Sequence, residues 1–91
     1  MSEIRTFEDL DVWKRSCQLA VEMRILFHNS RDFGFKVQTS RTDLSIPSNI
    51  AEGNERDSTG DSIRFLRYAK GSCAETRTQL YVEQKTRTEL N

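Results

Sequence analysis

An all-α fold, with three helices packed as a bundle, is what this sequence predicts. Three observations carry that reading. Proline and glycine are scarce, one and four in 91 residues. Apolar side chains recur at spacings of three and four rather than in strand-like alternation. Polar stretches interrupt the pattern at only two places, around residues 28–34 and 54–59.

The first helix starts near Phe7 or Glu8, with Thr6 as its N-cap and Glu8, Asp9 and Asp11 suited to the positive end of the dipole. Its apolar residues form two stripes. One holds Leu10, Trp13, Cys17, Ala20 and Val21, the other Val12, Leu19, Met23 and Leu26. A surface helix on one core needs a single stripe. Two stripes predict neighbours on two sides, hence a bundle and a contact between subunits. Arg24 falls inside the apolar arc, so its side chain is expected to snorkel to a rim or to pair with a carboxylate across an interface.

The break His28-Asn29-Ser30-Arg31-Asp32-Phe33-Gly34 reads as a loop. The second helix is expected from Phe35 to Ala51, with Pro47 kinking it and Gly53-Asn54 ending it. Ser48 and Asn49 are placed to satisfy backbone groups that the proline leaves unpaired. After a polar connection, Ser58 with Asp61 resembles a capping box, and a third helix follows to about Lys85. Its core stripe is Leu66, Ala69, Cys73, Thr76 and Leu80, beside Phe65. Gly71 costs on the order of 1 kcal/mol in mid-helix, which close approach of another backbone would justify.

The whole chain, residues 1–91, is expected to be one domain. At 35% hydrophobic residues its own core is modest, and oligomerisation is a usual remedy. The 14 basic and 14 acidic residues balance, so any polyanion must be met by a local patch. Cys17 and Cys73 read as reduced core thiols. The N-terminus is polar and acidic, unlike a signal peptide, and no apolar run is long enough to span a membrane. A cytoplasmic location is the expectation.

Chemistry is sparse. His28, the one histidine, has no partner at metal-ligand spacing. No nucleophile motif or phosphate-cradling glycine loop is present. The expectation is therefore no catalytic residue, metal, cofactor or small-molecule substrate. The third helix carries one suggestive pattern: Arg64, Arg67, Lys70 and Arg77 fall within an arc of roughly 140°. Such a ridge could sit along a phosphate backbone, but the residues themselves favour the plainer reading of a solvated face paired with acidic neighbours. Tyr68 and Tyr81 lie on or near the ridge, where they could stack on bases.

Several phrases together resemble a known family. They are Phe7-Glu8-Asp9-Leu10 with Val12-Trp13-Lys14, then Gln38 and Arg41 leading to Ser45-Ile46-Pro47-Ser48-Asn49-Ile50-Ala51-Glu52-Gly53, then Arg64-Phe65-Leu66 with Gly71-Ser72, Glu75 and Thr78-Gln79-Leu80. In these the chain, over about residues 7 to 82, looks like the four-helix bundle proteins encoded in intervening sequences of bacterial 23S ribosomal RNA genes. The resemblance implies an up-and-down antiparallel bundle of four-helix type, assembled as a homopentamer. It also implies kinship with the accessory proteins of diversity-generating retroelements, which bind a reverse transcriptase and nucleic acid.

Three departures stand out. The family continues into a fourth helix, which here is truncated or missing. Gln38-Thr39-Ser40-Arg41 stands where two consecutive arginines are common. Asp43 puts a charge where a small apolar residue is usual. On this reading the function is a non-enzymatic, oligomeric, RNA-associated protein, with Lys14, Arg41, Arg56, Arg64, Arg67, Lys70 and Arg77 as the candidate phosphate contacts. A protein-interaction scaffold or accessory subunit, without direct nucleic-acid binding, is the alternative.

Overall fold

A computed structural model describes residues 6–90. Met1 to Arg5 and Asn91, the ends of the expected 1–91 domain, lie outside the described residues. The described residues are helical, with no strand among them: a 3-10 turn (Phe7–Asp9), α1 (Asp11–Leu26), α2 (Phe33–Asn54) and α3 (Thr59–Leu90). None of these helices is long and apolar enough to cross a membrane.

Each boundary has a local cause. Thr6 caps the 3-10 turn rather than α1, its N–H donating to Asp9 Oδ2 at 3.2 Å. Leu10 is extended, which delays α1 to Asp11. Helix α2 starts two residues earlier than the sequence suggests, because Asp32 Oδ1 accepts the Phe35 N–H at 3.0 Å and caps it. Ser58 caps α3 as expected, its Oγ accepting the Asp61 N–H at 3.1 Å. Helix α3 runs on past Lys85 to Leu90.

Helix α2 also outlasts its expected end. It runs continuously through Pro47 and ends at Asn54. Gly53 adopts no positive φ, so it is not a left-handed cap. It is buried inside the helix, where α3 crosses: a Cβ there would lie 3.1 Å from Ser62 O and 3.3 Å from Phe65 Cβ. Ser62 Oγ uses that approach to donate to Gly53 O at 2.8 Å. Gly71 shows the reverse. Nothing lies within 4 Å of where its Cβ would be, so the close approach expected there is absent.

The backbones of α1 and α3 both approach α2, and neither approaches the other. Helix α2 is thus central, with α1 and α3 diagonal across it. The core holds Ala20, Met23, Phe27, Ile46, Ile50 and Ala69, all buried. Leu10, Trp13, Leu19 and Cys73 pack around Ile46, Ile50 and Ala69. Full burial of an aliphatic or aromatic side chain stabilises by about 1.5–3 kcal/mol, so these few residues hold the fold. Leu66 is 49% exposed and is not a core residue.

The α2–α3 seam is polar along much of its length. Thr76 Oγ1 donates to Asp43 Oδ1 at 3.0 Å, and Gln79 Nε2 donates to Thr42 Oγ1 at 3.2 Å. The Ser45 and Ser72 hydroxyls meet directly. Asn49 Nδ2 donates to the Ser45 carbonyl at 2.7 Å; the carbonyl that Pro47 leaves without its helical donor is that of Asp43, so this bond is not the compensation expected of Ser48 and Asn49. Buried polar groups need such partners; Gln79 Oε1 has none among the described residues.

The molecule is elongated. Its extents are 51 × 25 × 20 Å and its radius of gyration is 15.3 Å, against about 12 Å for a compact domain of this length. Helix α3, 32 residues long, sets the long axis at about 1.5 Å per residue.

Candidate functional site

The basic residues singled out by sequence divide into two groups. Arg56 and Arg64 are engaged within the fold. Arg56 pairs with Glu52, and its guanidinium lies 4.5 Å from the Phe65 ring centroid. Arg64 pairs with Asp61 at 3.4 Å and sits 5.1 Å from the same ring. The two arginines therefore bracket Phe65 at the α2–α3 corner, where a cation over an aromatic face gains about 0.5–1 kcal/mol when exposed.

Arg67, Lys70 and Arg77 differ. All three are exposed on α3, and none has an ion pair among the described residues. The helical period places them on one solvent-facing side, which Tyr81, 66% exposed, shares. This cluster is what the structure leaves of the predicted ridge. Lys14 and Arg41 are exposed and without an ion pair among the described residues, but they stand elsewhere. Lys14 is on α1. Arg41 is on α2 and lines a shallow apolar depression with Phe33, Val37 and Leu44.

A second feature is the open side between α1 and α3. Val12 and Leu66 line one depression there, and Leu26 and Leu80 line another. Between them, Leu19 and Cys73 both pack against the core cluster. Val12, Leu19 and Leu26 are seven apart, as are Leu66, Cys73 and Leu80. That spacing is the signature of a seam made to receive a helix. Val12, Leu26 and Leu66 are 55%, 58% and 49% exposed. Val12 and Leu26 of the second apolar stripe face this open side, while Met23 of the same stripe is buried in the core.

A third feature was only half visible in the sequence. Arg24 reaches the solvent-exposed rim of a cavity of about 200 Å³, shared with Met23, Phe27, His28, Lys36, Thr39, Ser40 and Asp43. Asp43 is 1% exposed. Burial pushes its carboxyl above the ordinary 3.8, while the Thr76 hydrogen bond and the Arg24 charge pull it down. The signal was a row of polar residues, Thr39, Thr42, Asp43 and Thr76, at buried helical positions. Both cysteines are free and half-buried.

A family model described as "23S rRNA-intervening sequence protein" matches residues 8–88. No curated protein and no solved structure matches the chain.

Proposed function

The chain belongs to the family of 23S rRNA-intervening sequence proteins, and on that premise we propose a non-enzymatic, cytoplasmic protein that associates with ribosomal RNA through the outer face of α3. One observation carries this reading: Arg67, Lys70 and Arg77 are exposed together, with no carboxylate partner among the described residues. Unpaired cations on one helix face release counterions when they meet phosphates, and Tyr81 beside them offers a ring on which an unpaired base can stack. Titrating the protein into a labelled 23S rRNA intervening-sequence fragment tests the proposal. Affinity should be measurable at low salt and weaken as salt rises. No affinity at low salt, or affinity indifferent to salt, overturns it.

The open seam between α1 and α3 favours a second property, self-association. Diagonal α1 and α3 occupy opposite corners of a four-helix square whose remaining corner is unfilled. We read the three helices as an up-and-down bundle of four-helix type, bent at Pro47, whose open corner is closed by another copy of the chain in a homo-oligomer; the pentamer is the form that the resemblance implies. Without RNA binding, the same seam would make the protein a scaffold for a partner. Light scattering behind a sizing column decides whether copies associate, and a monomer at all concentrations removes this part of the reading.

A further inference from the structure

We propose that the cavity between the C-terminal half of α1 and the N-terminal half of α2 takes one unstacked guanine of an RNA strand, its donor edge turned to Asp43 and its phosphate held by Arg24 and Lys36. The proposal rests on the RNA reading above and names a recognition site apart from the α3 face.

The floor of the cavity is a charge without a full set of partners. Asp43 is 1% exposed. Its Oδ1 accepts from Thr76 Oγ1 at 3.0 Å, and no donor among the described residues bonds Oδ2. No cation lies within ion-pairing distance either; Arg24 acts on the carboxyl only through its field. Oδ2 is not sealed off from solvent and Asp43 lines the cavity, so an N–H donor entering there can bond it. The Thr39 hydroxyl is already directed to the Phe35 and Lys36 carbonyls, at 2.9 and 3.1 Å.

The mouth has the opposite sign. Arg24 is exposed there. Lys36 Nζ donates to the His28 carbonyl at 3.0 Å, which ties the interhelical loop to α2 and fixes the ammonium at the rim. A simple cation would be repelled at this entrance, and a simple anion at the floor. A ligand with donors at one end and a negative charge at the other satisfies both, and a nucleotide is such a ligand. The volume, about 200 Å³, corresponds to roughly seven waters at ~30 Å³ each. That is below the ~300–1,000 Å³ of drug-sized pockets and suits a single planar base, with Met23 and Phe27 in the wall.

The donor pattern selects the base. Guanine presents N1–H and the N2 amino group side by side, so a carboxylate can accept from both, with O6 lying to one side of the pair. Uracil presents one N–H between two carbonyl oxygens, both repelled by Asp43. Recognition of splayed-out bases on their Watson–Crick edges is the usual way proteins read single-stranded RNA.

The test is a ¹⁵N-detected NMR titration of the full chain with GMP and with UMP. GMP should bind at least about tenfold tighter, with shifts centred on Phe27, Thr39 and Asp43. Asp43→Asn, which keeps an acceptor for Thr76, should abolish the preference. Ser40→Phe, which fills the mouth without touching the Asp43–Thr76 bond, should abolish GMP binding. Placing one guanine in a short oligouridylate should tighten binding of the strand, and Asp43→Asn should remove that gain. A variant with Arg67, Lys70 and Arg77 changed to Gln should keep the GMP preference, which separates this site from the α3 face. Equal binding of GMP and UMP, a preference that survives Asp43→Asn, or no gain from guanine in the strand overturns the proposal, even where RNA binding through α3 stands.

Discussion

At the scale of residues, three positions make the energetics testable. The Asp43 carboxyl is raised above 3.8 chiefly by burial, so the folded chain holds this proton more tightly than the unfolded one. Its stabilising effect is therefore present below the unfolded pKa and lost as pH rises through the folded pKa. At neutral pH the charge works against the fold. Asp43→Asn keeps the hydrogen bond from Thr76 and should raise the melting temperature at neutral pH, with the gain shrinking as pH falls below the ordinary carboxylate range. Circular-dichroism melts across pH check this, and a lower melting point at neutral pH contradicts it. Gly53, in the last turn of α2, and Gly71, inside α3, should respond oppositely. Gly71→Ala meets open space and should stabilise by about 0.5–1 kcal/mol. Gly53→Ala would press on the Ser62 carbonyl at 3.1 Å and should destabilise by about 1–3 kcal/mol. Denaturant unfolding of both variants measures the pair. Sequence alone assigned these glycines in reverse, a packing role to Gly71 and a terminating role to Gly53. A glycine's presence is visible in a sequence, but which backbone passes beside it depends on where α3 crosses α2.

Among the elements, what was legible was periodic. All three helices, the break after α1 and the Ser58 cap follow from spacing and local chemistry. Boundaries shifted where a single residue intervened: the Asp32 side chain starts α2 early, and the extended backbone of Leu10 starts α1 late. The predicted ridge on α3 proved to be half ridge and half corner, because Phe65 and the carboxylates of Glu52 and Asp61 engage Arg56 and Arg64. An i, i+3 or i, i+4 carboxylate was readable for each; the shared aromatic ring was not. The two stripes of α1 were legible, and the open side that Val12 and Leu26 of one stripe face explains why this helix is apolar over so much of its surface. If that seam receives a helix of another copy, Leu26→Asp and Leu66→Asp should each lower the mass seen by light scattering while leaving helix content unchanged. An unchanged mass would mean that the seam is not the contact.

For the whole molecule, shape and charge point the same way. A domain 51 Å long and 20 Å thick presents a long helix along its outer face, and a small core leaves apolar surface for association. Net charge is zero, so attraction to a polyanion depends on where cations stand, which a composition cannot show and a helix face can. The fold class was readable because helical periodicity is local. The Asp43 cavity was not, because it is made by residues from α1 and α2 meeting across a loop. The most direct measurement is the affinity for a fluorescent 23S rRNA intervening-sequence fragment, followed by anisotropy over a range of salt, for the natural chain and for one with Arg67, Lys70 and Arg77 changed to Gln. The natural chain should show log affinity falling linearly with log salt, and the variant a slope shallower by about two, near 0.7 for each lost contact to a single strand. No binding by the natural chain at low salt, or the same slope for both chains, would contradict the account.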